Sequence, residues 1–137
     1  MKKIILVLFA LTLTACADKE QLEQAVLAKM EKEQDVKDYK IDPKDMTKCV
    51  IAQMEQSMPG VFRLDPERLT AYRNYAKMIN ADIAKDPKAE LEQLNKDFGS
   101  AQALVKARSS YNQGIVECLS AAVTDSEQQE KKQEKTQ

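Results

Sequence analysis

Leu91-Glu92-Gln93-Leu94-Asn95-Lys96-Asp97-Phe98-Gly99-Ser100-Ala101-Gln102-Ala103-Leu104-Val105 decides whether this chain doubles back on itself or runs on as a rod. Leu91, Leu94, Phe98, Ala101 and Val105 recur in steps of three and four, which is the period of one helix face. The pattern then drifts to Tyr111, Ile115, Cys118, Leu119 and Ala122. Its phase crosses Gly99 without a slip, which favours one long helix. The punctuation favours two: Gly suits the left-handed residue that ends a helix, and a Ser oxygen caps the start of the next.

Upstream, one device repeats. Asp42-Pro43, Asp65-Pro66 and Asp86-Pro87 each set a carboxylate before a proline. The carboxylate accepts from an orphan N–H at a helix start, and its charge suits the positive end of the helix dipole. Proline fits the first turn, where its missing donor would be unpaired anyway. These pairs predict three helix starts. The helix from Pro43 carries Met46, Cys49, Val50 and Met54, and Pro59-Gly60 stops it near Met58. Val61-Phe62-Arg63-Leu64 reads as an apolar connector covering one end of the core. The helix from Pro66 carries Leu69, Tyr72, Ala76, Ile79 and Ile83 and ends before Asp86. Before these lies Asp18 to Asp38, dense in Glu, Gln, Lys and Ala, with Leu22, Val26 and Met30 as one narrow stripe. It reads as a single polar helix, docked weakly or standing off as a spacer of about 30 Å. After Thr124 nothing apolar remains to bury, and residues 125–137 read as a disordered polar tail.

The front of the chain has three parts. Lys2 and Lys3 are a positive start, Ile4 to Leu13 is apolar save for Thr12, and Leu13-Thr14-Ala15-Cys16 closes the run on small residues and a cysteine. The apolar run is shorter than the roughly 20 residues that span a bilayer. Leu13-Thr14-Ala15-Cys16 resembles the lipobox of bacterial lipoprotein signal peptides. The resemblance implies cleavage between Ala15 and Cys16, a diacylglyceryl thioether on Cys16, and an acyl chain on its freed amine. Two or more acyl chains give stable anchoring, at about 0.8 kcal/mol per buried CH₂. It also implies a cell-envelope location. With Ala17, not Asp, after the cysteine, it favours the outer membrane over the inner.

If Cys16 carries lipid, Cys49 and Cys118 remain as an even pair in an oxidising compartment, and a disulfide between them is expected. The alternative, a two-cysteine metal site, would have no histidine partner. The bridge bears on Gly99. With the helices from Pro43 and Pro66 as antiparallel neighbours, the chain returns near Asp86 to the end where Cys49 lies. A straight helix from Pro87 would then carry Cys118 about 45 Å away at about 1.5 Å per residue. Bridged cysteines need Cα atoms within about 7 Å. A reversal at Gly99 satisfies this. The expected fold is therefore all-α: a small bundle of about four to five helices stapled by Cys49–Cys118, with its helical domain at residues 42–124. It follows a cleaved leader (residues 1–15) and a lipidated, polar spacer segment (residues 16–41).

Composition narrows the function. The chain has no histidine, no phosphate-cradling glycine loop and no common hydrolase or nucleotide motif. No catalytic residue, metal or cofactor is expected. Without Lys2 and Lys3 the 21 basic side chains fall to 19 against 22 acidic, a net charge of −3, which is no footprint for nucleic acid. Met30, Met46, Met54, Met58 and Met78 suit an irregular helical core better than a soft-metal site. Arg63, Arg68 and Arg73, with Tyr72 and Tyr75 among them, form a candidate partner surface, since both types are enriched at binding hot spots. The expected function is non-enzymatic: a periplasm-facing binding or accessory lipoprotein, held to the membrane through Cys16, with a protein partner. The alternatives are an immunity protein against a secreted periplasmic effector and an acid-stress periplasmic chaperone.

Overall fold

The three Asp-Pro pairs open helices as their chemistry requires. Asp42 accepts from the Lys44 N–H at 2.7 Å, Asp65 from Glu67 at 3.0 Å, and Asp86 from Lys88 and Ala89, both at 3.1 Å; each has proline within the first helical turn. The structure, a computed structural model, describes residues 17–81 and 86–134, with side chains as far as Ser126. The lipobox, Cys16 and Ile83 lie outside the described residues. Among those described there are six helices and no strand. They are α1 (17–30), α2 (Gln34–Asp38), α3 (Pro43–Ser57), α4 (Pro66–Asn80), α5 (Pro87–Asp97) and α6 (Ala101–Glu134). No described helix is long and apolar enough to cross a membrane.

The chain does reverse at Gly99. Gly99 takes φ +82°, the left-handed conformation that costs glycine least. Phe98 closes α5 through its N–H on the Leu94 carbonyl, and the Ser100 hydroxyl accepts from the Ala103 N–H at 3.1 Å to begin α6. α6 then lies antiparallel to α3, and this is the most extensive pairing among helices α2 to α6. Positions rise along α3 as their partners fall along α6. Cys49 is bridged to Cys118 with Cα atoms 5.9 Å apart. A Cβ on Gly114 would sit 3.3 Å from Gln53 Cβ and 3.4 Å from the Val50 carbonyl, so the helices approach closely here because position 114 has no side chain. The Ser57 and Ser110 hydroxyls share a hydrogen bond of 2.6 Å. α5 is tied to α4 through Asp97: Asn74 Nδ2 donates to its carbonyl at 2.7 Å and Lys77 Nζ reaches its carboxylate at 2.8 Å. The Tyr75 and Phe98 rings meet edge-to-face across the same junction, 5.5 Å between centroids.

One core runs through all six helices. Leu22, Val26 and Met30 of α1 are fully buried in it beside Val50 and Met54 of α3 and Tyr72 of α4, and Met46, Met58 and Met78 lie in the same cluster. The narrow stripe is therefore packed in the bundle, and α1 is not a stand-off spacer. Nor do residues 18–38 form one helix. Val36 lies six residues beyond Met30, about 240° round a continuous helix of 3.6 residues per turn, and would point away from the core. Breaking the helix at residues 31–33 re-aims it, and Val36 is buried. α2 closes through a Schellman pattern: Ile41 N–H donates to Val36 O at 2.9 Å and Lys40 N–H to Lys37 O at 3.1 Å. Lys40 holds the left-handed position at φ 54°. This extra helix gives six where four to five were expected.

The apparent continuity of phase across Gly99 does not survive the turn. Leu94 is buried and Phe98 packs against the core, but Ala101 and Val105 face solvent, and Leu104 and Ala107 take their place inside. The tail differs too. α6 continues to Glu134, through most of the stretch read as disordered. Glu, Gln and Lys are good helix formers, no Gly or Pro intervenes, and extending a formed helix carries no nucleation cost.

Two stability measurements follow. The bridge closes a 69-residue separation. Reducing and alkylating it lowers the unfolding free energy by about 4 kcal/mol on the chain-entropy account, read by urea denaturation against the oxidised protein. Gly60→Ala destabilises more than Gly99→Ala in the same assay. Both force a left-handed residue to carry a side chain, at about 1 kcal/mol. At Gly60 the added methyl also falls 2.8 Å from the Arg68 Cβ and N, whereas at Gly99 it meets nothing within 4 Å.

Candidate functional site

The Arg/Tyr cluster does not form one surface. α4 turns Tyr72 and Tyr75 inward, and both are buried. Arg68 is spent on the chain's own carbonyls, donating to Glu55 O and Gly60 O at 2.6 Å each. Arg73 is paired with the nearly buried Asp18 at 2.6 Å. Of the five proposed residues only Arg63 is exposed without a strong protein bond of its own to explain it. An i,i+3/i,i+4 reading of α4 places Tyr72 and Tyr75 on the Ala76–Ile79 face, and that signal favoured the core from the outset.

The structure instead gathers polar groups around Glu55, near the end of α3. Its carboxylate accepts from Tyr72 Oη at 2.6 Å and from Lys19 Nζ at 3.0 Å. The Lys19 ammonium also stands 5.9 Å from the centre of the Tyr72 ring. α1, α3 and α4 are thus tied at one height of the bundle. Burial alone would push the Glu55 carboxyl up. The hydrogen bonds from Tyr72 and Lys19, with the Lys19 and Arg63 charges, outweigh it and hold the group below the usual carboxylate range. The Tyr72 hydroxyl is pushed up to about 12 by burial and by its bond to the Glu55 carboxylate. With the carboxylate as acceptor and the hydroxyl as donor, the pair makes a structural clasp.

Arg68 links this clasp to the turn that follows α3. The turn is built from Gly60 at φ +87° and from Asp65, which takes a Val61 N–H at 3.1 Å on the carboxylate oxygen it does not use as a cap. The Asp65 N–H donates to Phe62 O at 3.0 Å. The turn does not cover the core as expected. Val61 is 90% exposed, Phe62 65% and Leu64 64%. Hydrogen bonding at both ends of the turn holds these side chains outward. Sequence reasoning missed them because apolar residues between two core helices are ordinarily counted as core. The warning signal was the density of turn formers around them, Pro59-Gly60 before and Asp65-Pro66 after.

Between α1 and α3 runs an open groove of about 560 Å³, bordered by Lys19, Glu23, Lys44, Lys48, Glu55 and Arg63. Its lining alternates in sign and converges on no single polar centre. Among the described residues no group of three or more His, Cys, Asp or Glu side chains is placed to hold a metal ion.

The clasp gives a pH signature. A carboxyl held below its ordinary 4.5 in the folded state contributes stability that is complete above about pH 4.5 and disappears as pH falls through the lowered value. Glu55→Gln therefore costs about 1–2 kcal/mol at pH 7, where a charge-assisted bond is lost. It also flattens the acid limb of the stability profile below pH 4.5. Thermal unfolding of both proteins from pH 7 down to the acid limit of folding measures this.

Compared with known proteins, the chain matches no family model, no curated protein sequence and no solved structure.

Proposed function

We propose that this chain is a lipid-anchored, periplasm-facing lipoprotein of a bacterial envelope, most consistent with the outer membrane, that works by binding or structural support and not by catalysis. The observation that carries the reading is Leu13-Thr14-Ala15-Cys16 closing a lysine-led apolar run. A mature chain that begins at Cys16 would present its lipidated residue directly before α1. The Cys49–Cys118 bridge supports the reading, since disulfides persist in oxidising compartments. The polar groups support a binding role: buried Tyr72 is spent on Glu55, Asp18 on Arg73 and Thr47 on the Pro43 carbonyl, and no histidine is present to act as a neutral-pH base. The partner is a protein, and nucleic acid is disfavoured by the acidic balance of the mature chain.

Intact mass spectrometry of the protein extracted from membranes tests this. The expected mass lacks Met1–Ala15, carries acyl chains, and shows two thiols that alkylate only after reduction. Cys16→Ser should yield a protein that carries no acyl mass. An unlipidated mass of the unchanged protein would overturn the reading.

A further inference from the structure

The outward-facing turn and the start of α1 lie at the same end of the bundle. Lys19, in the first described turn of α1, bonds Glu55; the Glu55 carbonyl and the Gly60 carbonyl share the Arg68 guanidinium; and Gly60 opens the turn that carries Val61, Phe62, Arg63 and Leu64. Asp18 is held beside them through Arg73 on α4. Two residues of chain span at most about 7 Å, so anything attached two positions before Asp18 is leashed to this end. Resting on the lipid-anchor reading, we propose that Val61-Phe62-Arg63-Leu64 is a second membrane contact, set beside lipidated Cys16, that seats the bundle end-on against the bilayer.

The chemistry of the turn suits a lipid interface. Phe62 and two aliphatic side chains stand in water at a measurable hydrophobic penalty, in a turn whose backbone bonds prevent them from folding back onto the core. A rigid apolar tip gives up little conformational entropy when it enters the interface. Arg63 lies among them, exposed, with a long stem that can remain in the apolar layer while its head reaches phosphate. The other exposed large apolar residues of the described chain are single: Tyr39 before α3, Leu91 on α5, and Val105 and Val116 on α6. Three within four residues, at the tethered end, are the grouping that a covalent anchor would press against lipid.

The chain has no tryptophan, which makes the test direct. Phe62→Trp and Tyr39→Trp are introduced separately into the full chain, leader included. Both positions are exposed and tolerate the change, and the length of α3, about 22 Å, separates them along the bundle. Each lipoprotein is reconstituted into phosphatidylethanolamine–phosphatidylglycerol vesicles with or without brominated acyl chains. Interfacial side chains sit about 5–10 Å into the boundary, so Phe62→Trp should show blue-shifted emission and at least about twofold more bromine quenching than Tyr39→Trp. Equal quenching at the two positions, in protein that floats with the vesicles, overturns the turn's lipid contact while leaving the anchor. Protein that does not float overturns both. An emission shift that appears with soluble envelope protein but not with vesicles makes the turn a protein contact and overturns the proposal.

Discussion

The antiparallel pairing of α3 with α6 holds the rest in place, and it is fixed at three heights by three different means. A covalent bridge sets it at Cys49 and Cys118, a missing side chain sets it at Gly114, and a hydroxyl pair sets it at Ser57 and Ser110. Each excludes a shift of one helix along the other. A one-residue slide would turn Gly114 away from Val50 by about 100° and place a side chain where the helices nearly touch. With that register set, α4 and α5 fill the remaining face, and Leu104 and Ala107 replace the residues that a continuous helix would have buried.

The Glu55 clasp plays the corresponding part for the N-terminal half. α1 is rich in charge and carries only a narrow apolar face, so burial of Leu22, Val26 and Met30 alone would leave its rotation loosely specified. Lys19 and Asp18, bonded to partners on α3 and α4, orient that face. The same carboxylate is bonded by Tyr72, a residue that also anchors the core. Polar and apolar packing therefore specify one arrangement. Half-exposed ion pairs such as these contribute orientation more than free energy.

What was legible in the chain was its punctuation. Asp-Pro pairs mark starts because capping and a fixed φ are local chemistry, and all three mark helices. At Gly99-Ser100 the punctuation spoke for two helices and the apolar phase for one, and the cysteine pair decided between them because a bridge is a distance constraint that no straight helix meets. The illegible parts are those where a local rule competed with a tertiary one. The break before α2 has no Gly or Pro, and what enforces it is the burial of Val36. Tyr72 and Tyr75 carried a recognition signal by composition and a core signal by spacing, and spacing prevailed. Val61, Phe62 and Leu64 read as core because hydrophobicity is a one-way guide to burial; the bonds of Gly60, Asp65 and Arg68 that hold them out join residues up to 13 apart through a turn with no periodicity of its own.

The length of α6 gives the molecule a direction. From Ser110, level with the end of α3, the helix runs 24 further residues to Glu134, about 36 Å along its axis and away from the turn at Gly60. The two termini of the described chain are thus carried toward opposite poles. A fluorescent protein or affinity handle joined at the end of α6 would ride at the far pole, clear of the Val61–Leu64 tip and of the first turn of α1. A handle placed within the turn would obstruct both. The chain has a built-in front and back, and labelling from the back leaves the front free to meet whatever it faces.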